Sequence, residues 1–443
     1  MFLKRIFGGS VRSVVATNTA SQILAKVFGA GATFLISLMV ARTYGAQGYG
    51  DFTKVTTFVA LFFLFSDFGL NAIYLKTDID GRHGTPDENE SGSWPTLVSI
   101  RLLGSFLLIF IALMVLTIIP HGSDQGYTGT VRLGILLFSP AIIFQSILTT
   151  ANARFQKHLR YDLSALSVIA GSLVAVIIAV LTVPKASGAA GPISGILAIL
   201  AGSAVTAGAA MVFVRKLYAP FVLNWSFDRM KTFLKTAAPV GVTLIFNVIY
   251  FRADSFVLTL TRATQEVGIY GLAYKVFEVS LVLPTFFMNS VYPLLLVALH
   301  PAQNRDRVPE TFRHLISRSF WFLLLTACGT FIFLWFAAPL LSFVRTDFTL
   351  SIEPLRILAL GVPFFFLSSL TMWILITLGK LRELAWMYAA SMVVNIILNI
   401  LFVPMYGYMA AAWITVASEG MLLAVSAFLV RSFLVQNNRE IVS

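Results

Sequence analysis

Apolar residues run along this chain in stretches of about 20, the length a helix needs to cross the hydrocarbon core of a bilayer. The stretches are continuous, so they predict helices rather than barrel strands, which alternate apolar and polar positions over about 10 residues. They predict an all-α integral membrane protein. Its first-half helices are Thr19–Ala41, Phe52–Leu75, Leu97–Ile119, Val131–Ala153, Leu163–Val183 and Gly191–Val214. Its second-half helices are Phe233–Leu260, Val267–Leu295, Arg318–Ala338, Pro354–Leu378, Leu384–Val403 and Tyr408–Val430. Most connections are short. The longest hydrophilic stretch, Thr77–Pro95, is rich in Asp, Glu, Gly and Ser and reads as a flexible loop. The first long apolar run, from near Thr19, lacks a small-residue cleavage pattern and reads as a retained helix rather than a signal peptide.

Composition sharpens the class. Hydrophobic residues make up 58% of the chain and charged residues 12%, with a mean hydropathy of +0.84. A soluble domain carries roughly 25% charged residues, so this chain is too poor in charge to cover a water-facing surface. The single cysteine, Cys328, excludes an intrachain disulfide and a cysteine-based metal cluster.

The net charge of +12 would suggest nucleic acid in a soluble protein. Here it follows membrane topology. With the N-terminus placed in the cytoplasm, about 21 Lys and Arg residues, among them Lys4, Arg5, Arg154, Arg215, Lys231 and Arg307, fall on the cytoplasmic side. About 7, including Arg42, Lys54, Arg132 and Arg262, fall opposite. Both termini are expected in the cytoplasm, consistent with an even number of spans, and no nucleic-acid partner is expected.

The chain repeats itself. Tyr49-Gly50-Asp51-Phe52-Thr53-Lys54-Val55 aligns with Tyr270-Gly271-Leu272-Ala273-Tyr274-Lys275-Val276, each opening the second helix of its half. Val183-Pro184 aligns with Val403-Pro404, each closing a fifth helix, and Pro140 and Pro363 lie at similar depths in the fourth helices. Six helices return the chain to its starting side, so the halves are expected to share orientation as parallel repeats. The predicted lobes are residues 1–220 and 221–443. Transporters built this way place substrate between their halves.

Polar residues inside the spans mark candidate chemistry. The first helix carries Asn18, Gln22, Lys26, Gly29, Thr33 and Ser37 on one face. The seventh carries Thr243, Asn247, Tyr250 and Asp254. Two such faces fit a wet cavity, since Lys26 and Asp254 are expensive in lipid; helix packing through internal hydrogen bonds is the alternative. Lys275 and Glu278, three apart, are positioned for an internal salt bridge or a substrate role. Arg252 and Asp254 point to nearly opposite sides of an ideal helix, which leaves Arg252 to a neighbouring helix or to the cavity. Asp67 shares a face with Asn71, and Glu419 shares one with Thr415, where Asn395 and Asn399 are placed to meet it. Asp67, Asp254, Glu278 and Glu419 are the ion-coupling candidates. Pro140, Pro284 and Pro363 each remove a backbone bond and tend to bend their helices.

No paired-acid loop, histidine metal cluster or glycine-rich phosphate loop is present. The reading is of a non-enzyme without cofactor or metal.

Several segments resemble the polysaccharide biosynthesis flippases. Val40-Ala41-Arg42-Thr43-Tyr44-Gly45-Ala46-Gln47-Gly48-Tyr49-Gly50 resembles their first-loop pattern, and Phe65-Ser66-Asp67-Phe68-Gly69-Leu70 is similar to their second-helix pattern. Asp254 with Val267-Gly268-Ile269-Tyr270-Gly271-Leu272-Ala273-Tyr274-Lys275, and Pro404-Met405-Tyr406-Gly407, also fit. The resemblance covers most of the chain. It implies a two-lobed, V-shaped transporter of the multidrug/oligosaccharidyl-lipid/polysaccharide exporter superfamily, working by alternating access in a prokaryotic plasma membrane. The implied cargo is a polyprenyl-diphosphate-linked oligosaccharide moved to the outer leaflet. Membrane lipid, a polysaccharide polymerase and a chain-length regulator are the implied partners. Lipid II flippases of the superfamily use cationic cavity residues; the cations available here are Lys26, Arg252 and Lys275, a sparse set that argues against lipid II itself.

A diphosphate sugar cannot cross hydrocarbon unaided, and a hydrated cavity with a few cations would host it. The expected substrate-binding residues are therefore Lys26, Gln22, Thr33, Asn247, Tyr250, Arg252, Asp254 and Lys275. The rivals are a multidrug cation antiporter, which calls for an acidic cavity, a membrane-embedded polymerase or glycosyltransferase, which calls for a large outer loop, and a nontransporting scaffold.

Overall fold

The structure, a computed structural model, describes residues 11–71, 73–75, 86–218, 221–299 and 310–439. Its regular elements are helical: α1 Val11–Asp67, α2 Pro86–Ile118, α3 Gly129–Phe138, α4 Ala141–Lys157, α5 Tyr161–Thr182 and α6 Ala190–Leu217, then α7 Phe227–Thr261, α8 Thr264–Ser280, α9 Val282–Leu299, α10 Glu310–Ala337, α11 Ile352–Thr377 and α12 Leu381–Arg439. Two short 3-10 turns, Ala338–Phe343 and Thr346–Ser351, join α10 to α11. Among the described residues nine stretches are long and apolar enough to cross a membrane. Leu325 (74%), Phe336 (76%) and Phe343 (79%) stand exposed, which suits lipid and not water. This is a multi-pass membrane protein.

Two helices are far longer than a span. α1 has 57 residues and α12 has 59. Each contains one glycine outside helical geometry: Gly45 (φ 67°, ψ −169°) and Gly407 (φ 62°, ψ −148°). This is backbone space that a Cβ essentially forbids. The connections expected at 42–51 and 404–407 are thus single-residue breaks, with helix resuming at once on either side.

Prolines act unequally. Pro140 separates α3 from α4, and Pro284 follows the break between α8 and α9, whereas α11 runs continuously through Pro363. Part of the predicted loop Thr77–Pro95 lies outside the described residues, but from Pro86 onward the chain is already helix α2.

The chain packs as two compact units, Met1–Val248 and Ile249–Ser443, and the division falls inside α7. In unit 1, α5 and α6 pack on one another, α1 lies against both, and α4 lies against α6 and α2. Small residues set the closeness: a Cβ on Gly202 would sit 2.6 Å from that of Ala175, the kind of contact that drives helix association in lipid. At one end Tyr74, Trp94, Phe155 and Val214 join Met230, Phe233 and Ala237 of α7 in an apolar cluster. In unit 2, α11 is the hub, packed on α8, α9, α10 and α12.

Each unit also ties two of its joints together. In unit 1 the Tyr44 hydroxyl, beside Gly45, donates to the carbonyls of Val183 and Ala186 (3.1 Å to the latter), between α5 and α6. In unit 2 Arg262, between α7 and α8, donates to the Pro404 carbonyl at 3.3 Å beside Gly407 and pairs with Glu266 at 2.7 Å.

Arg132 closes the end of α2. Its guanidinium donates to the carbonyls of Tyr127 (3.0 Å), Leu116 (2.7 Å) and Ile119. Helix ends leave such carbonyls without backbone partners. Arg132→Met is expected to destabilise the protein by about 1.5–3 kcal/mol, the range for bonds to a charged donor, and Arg132→Lys to recover only part, because an ammonium cannot reproduce the planar fork. Melting in detergent checks this; a wild-type transition for Arg132→Met would overturn it.

Candidate functional site

Unit 2 gathers most of the ionisable side chains singled out in its sequence. Asp254 on α7 is buried. The Tyr270 hydroxyl donates to its Oδ2 at 2.5 Å, the Thr415 hydroxyl donates to the same oxygen at 3.2 Å, and the Ser255 N–H donates to Oδ1 at 2.6 Å. One turn beyond Thr415, Glu419 is also buried and accepts from the hydroxyls of Tyr250 (3.1 Å) and Ser368. Among the described residues neither carboxylate has an ion-pair partner; hydroxyls and one backbone amide hold them.

A second cluster is cationic. Arg252 reaches α8 and donates to Glu278 Oε1 at 2.8 Å, while Lys275 donates to Oε2 at 3.1 Å. Two cations share one carboxylate. The three side chains are 26%, 28% and 34% exposed for Arg252, Lys275 and Glu278, so the cluster is partly accessible. Arg252 also lies over the Tyr274 ring, 5.8 Å from its centroid. Arg252 and Asp254 thus both meet α8, at positions two turns apart. The helical spacing anticipated Lys275 with Glu278; only the structure adds Arg252.

Asn395 and Asn399 go elsewhere than expected. Asn395 donates to Ser418 at 3.1 Å, and Asn399 donates to the carbonyl of Asn395 at 2.9 Å. They fix α12 beside Glu419 without touching it.

In unit 1, Gln22 and Lys26 are exposed on α1, and the polar stripe divides below them. The Asn18 side-chain oxygen accepts from the Tyr161 N–H at 3.0 Å. Thr33 is half-buried and donates to its own helix, at 2.9 Å to Ala30 and 3.2 Å to Gly29. Thr33 and Gly29 border a cavity of about 210 Å³ together with Gln145, Ser172, Ser203 and Thr206. The side chains of Asp67 and Asn247 lie outside the described residues. No group of three or more His, Cys, Asp or Glu able to hold a metal occurs among the described residues.

Two arginines escaped the sequence reading. Arg101 is buried on α2 and donates to Asn71 at 2.8 Å; its signal was a lone charge four residues into an apolar run. Arg154, read as a loop residue, is buried in α4 with its guanidinium 4.5 Å from the Trp94 ring centroid.

Comparison with known proteins places the fold. The fold is shared with an inward-facing multidrug resistance MATE family transporter of the MOP superfamily (TM-score 0.75, 11% identity, covering 94% of this chain and 99% of that one). It is also shared with the lipid II flippase MurJ in an inward closed conformation (TM-score 0.73, 15% identity, 93% and 87% covered). A MOP superfamily transporter from Pyrococcus furiosus matches at a TM-score of 0.64 with 12% identity over 95% of this chain and 96% of that one. At such identities the likeness is one of fold, and the fold is that of a MOP-superfamily transporter. Residues 239–401 match the MatE family model. Residues 15–297 match the model of the polysaccharide biosynthesis proteins, and the chain belongs to that family. No curated protein sequence matches it.

Proposed function

We propose that the protein flips a polyprenyl-diphosphate-linked oligosaccharide from the cytoplasmic to the outer leaflet of a prokaryotic plasma membrane for cell-surface polysaccharide synthesis. The observation that carries this reading is the Arg252–Glu278–Lys275 cluster, in which two cations share one carboxylate on a half-open face. A diphosphate seeks that surplus, whereas a cationic drug would be repelled by it. Family membership and the fold shared with a lipid flippase support the same reading. Lys26 in unit 1 is a separate candidate cation, and Gln22, Thr33, Asn247 and Tyr250 are candidate hydroxyl- and amide-bearing partners for the sugars. Both termini are placed in the cytoplasm. A polysaccharide polymerase and a chain-length regulator are the proposed partners.

The proposed architecture is twelve spans in two six-helix lobes with a seam near residue 220. The breaks at Gly45 and Gly407 each turn one long helix into two spans, and α7, at 35 residues, is long enough to be a span itself. These three additions to the nine apolar stretches favour that count. Energy is assigned to an ion gradient or to the membrane potential. Asp254 and Glu419, held by hydroxyls, suit reversible protonation or a coupling cation, with Asp67 and Glu278 as further candidates. These same two carboxylates favour a second reading, a cation antiporter, to which the MatE match also lends weight.

A leaflet assay in reconstituted vesicles separates the two. Movement of a defined polyprenyl-diphosphate oligosaccharide supports the flippase; export of a cationic dye with no lipid movement supports the antiporter. In cells, Lys26→Ala is expected to abolish complementation of a flippase-null strain while Lys26→Arg keeps part of it. Full activity of the alanine variant would remove Lys26 from substrate binding.

A further inference from the structure

Ahead of α7, which begins at Phe227, residues 221–226 form a segment without regular secondary structure. This segment is fastened to the start of α2. The Phe221 ring packs edge-on against Trp94 at 5.5 Å, and the Asn224 N–H donates to the Ser99 hydroxyl at 2.8 Å. Trp94 opens the apolar stretch Trp94–Ile118, and five residues of helix from there to Ser99 span roughly 7–8 Å. That is about the thickness of the headgroup zone, so the segment runs where headgroups give way to acyl chains. Beyond Phe221, Leu223 and Trp225 of the segment and Phe227 at the start of α7 are 41%, 49% and 75% exposed.

Beneath the segment lies a slot of about 160 Å³ between α2, α4 and α6, bordered by Leu102, Ile143, Ile147, Met211 and Leu223. The hydroxyls at its inner wall are turned to protein: Ser105 and Ser146 both donate to the Arg101 carbonyl, and Thr150 donates to the Ser146 carbonyl. Apart from Arg101, whose guanidinium donates to Asn71 at 2.8 Å, what the slot offers a ligand is mostly hydrocarbon. Met211 stands at its mouth, and Arg215 follows one turn later on the same face of α6, exposed. From Met211 to Ala238 the chain carries five basic residues, Arg215, Lys216, Arg229, Lys231 and Lys235, against one acid, Asp228.

An apolar slot capped by a cation at the headgroup boundary has the two-part chemistry of an anionic lipid. We infer that unit 1 holds an anionic glycerophospholipid here, with part of one acyl chain in the slot and the phosphate at Arg215 and Lys216. A bulk phospholipid fits better than the cargo lipid. The slot is shallow, closed at its inner end by the Arg101 cluster, and built wholly within unit 1, so a lipid seated in it need not leave during transport. The assignment takes the basic end as cytoplasmic, as in the proposed function, but does not depend on what is transported.

The test uses the full chain in detergent, with lipid retention read by native mass spectrometry and by the melting shift on adding phosphatidylglycerol or phosphatidylcholine. Phosphatidylglycerol is expected to be retained and to raise the melting point, and phosphatidylcholine to do neither. Arg215→Gln/Lys216→Gln should weaken retention by roughly thirty-fold, from about 1 kcal/mol per basic residue near a membrane surface. Met211→Trp, which fills the slot and leaves the charges alone, should also lose the bound lipid. Equal effects of the two lipids, or unaltered retention by both variants, would overturn the site. Polyprenyl phosphate is the third arm: if it displaces phosphatidylglycerol and is not itself displaced, the slot is a cargo subsite and the inference fails. The leaflet assay decides the transport reading separately, because retained translocation by Arg215→Gln/Lys216→Gln is compatible with a phospholipid site.

Discussion

Gly407→Ala is expected to destabilise the protein by about 1–3 kcal/mol through backbone strain alone, and by more once the contacts of the added methyl are included. Its φ of 62° and ψ of −148° lie where only glycine rests without strain. The new Cβ would overlap the Glu266 carboxylate and come within 3.3 Å of the Arg262 guanidinium. It would therefore displace the ion pair that ties the α7–α8 joint to Pro404. Heating the detergent-solubilised protein and measuring the fraction that stays monodisperse reads the effect. Gly31→Ala and Gly104→Ala are the controls: both sit in helix with nothing within 4 Å of the added methyl, so neither should lose stability. If Gly407→Ala melts with the wild type, the helix break there has another origin.

The second large effect concerns transport. Arg252→Ala should slow translocation of a diphosphate-linked lipid by ten- to hundred-fold, from the roughly 1.5–3 kcal/mol that a hydrogen bond to a charged group contributes. The substitution leaves Lys275 and Glu278 as a neutral pair. Adding Glu278→Gln restores one surplus positive charge, now on Lys275. The double variant is therefore expected to recover part of the lost rate if the surplus charge binds substrate. If Arg252 only holds α7 against α8, the second substitution removes another polar contact and the rate falls further. Rates in vesicles distinguish these outcomes.

Much of the helical content was legible because hydrophobic length alone dictates a span. The Lys275–Glu278 pair was legible too, because i and i+3 share a helix face. What was hidden depends on how one helix is turned toward another. Arg252 finding Glu278, Tyr270 finding Asp254 and Ser368 finding Glu419 are contacts across 26, 16 and 51 residues of chain, and no periodicity encodes them. Tyr270 was in view as half of a repeat motif, yet nothing in that motif distinguishes a packing tyrosine from one that donates to a buried carboxylate. The joint at Gly45 was hidden for a different reason. Polar residues between two apolar runs read as a loop, whereas one glycine suffices to redirect the backbone and lets helix resume within a residue.

The two joint ties described above are made of unlike chemistry. In unit 1 a tyrosine hydroxyl reaches two carbonyls, all neutral groups. In unit 2 a guanidinium reaches one carbonyl, that of Pro404, while paired with Glu266, and these side chains are 33% and 19% exposed. Mobile ions screen a partly exposed charge pair and leave a neutral hydrogen bond nearly untouched. Ionic strength is therefore expected to loosen the tie at Gly407 while leaving the tie at Gly45 nearly unchanged.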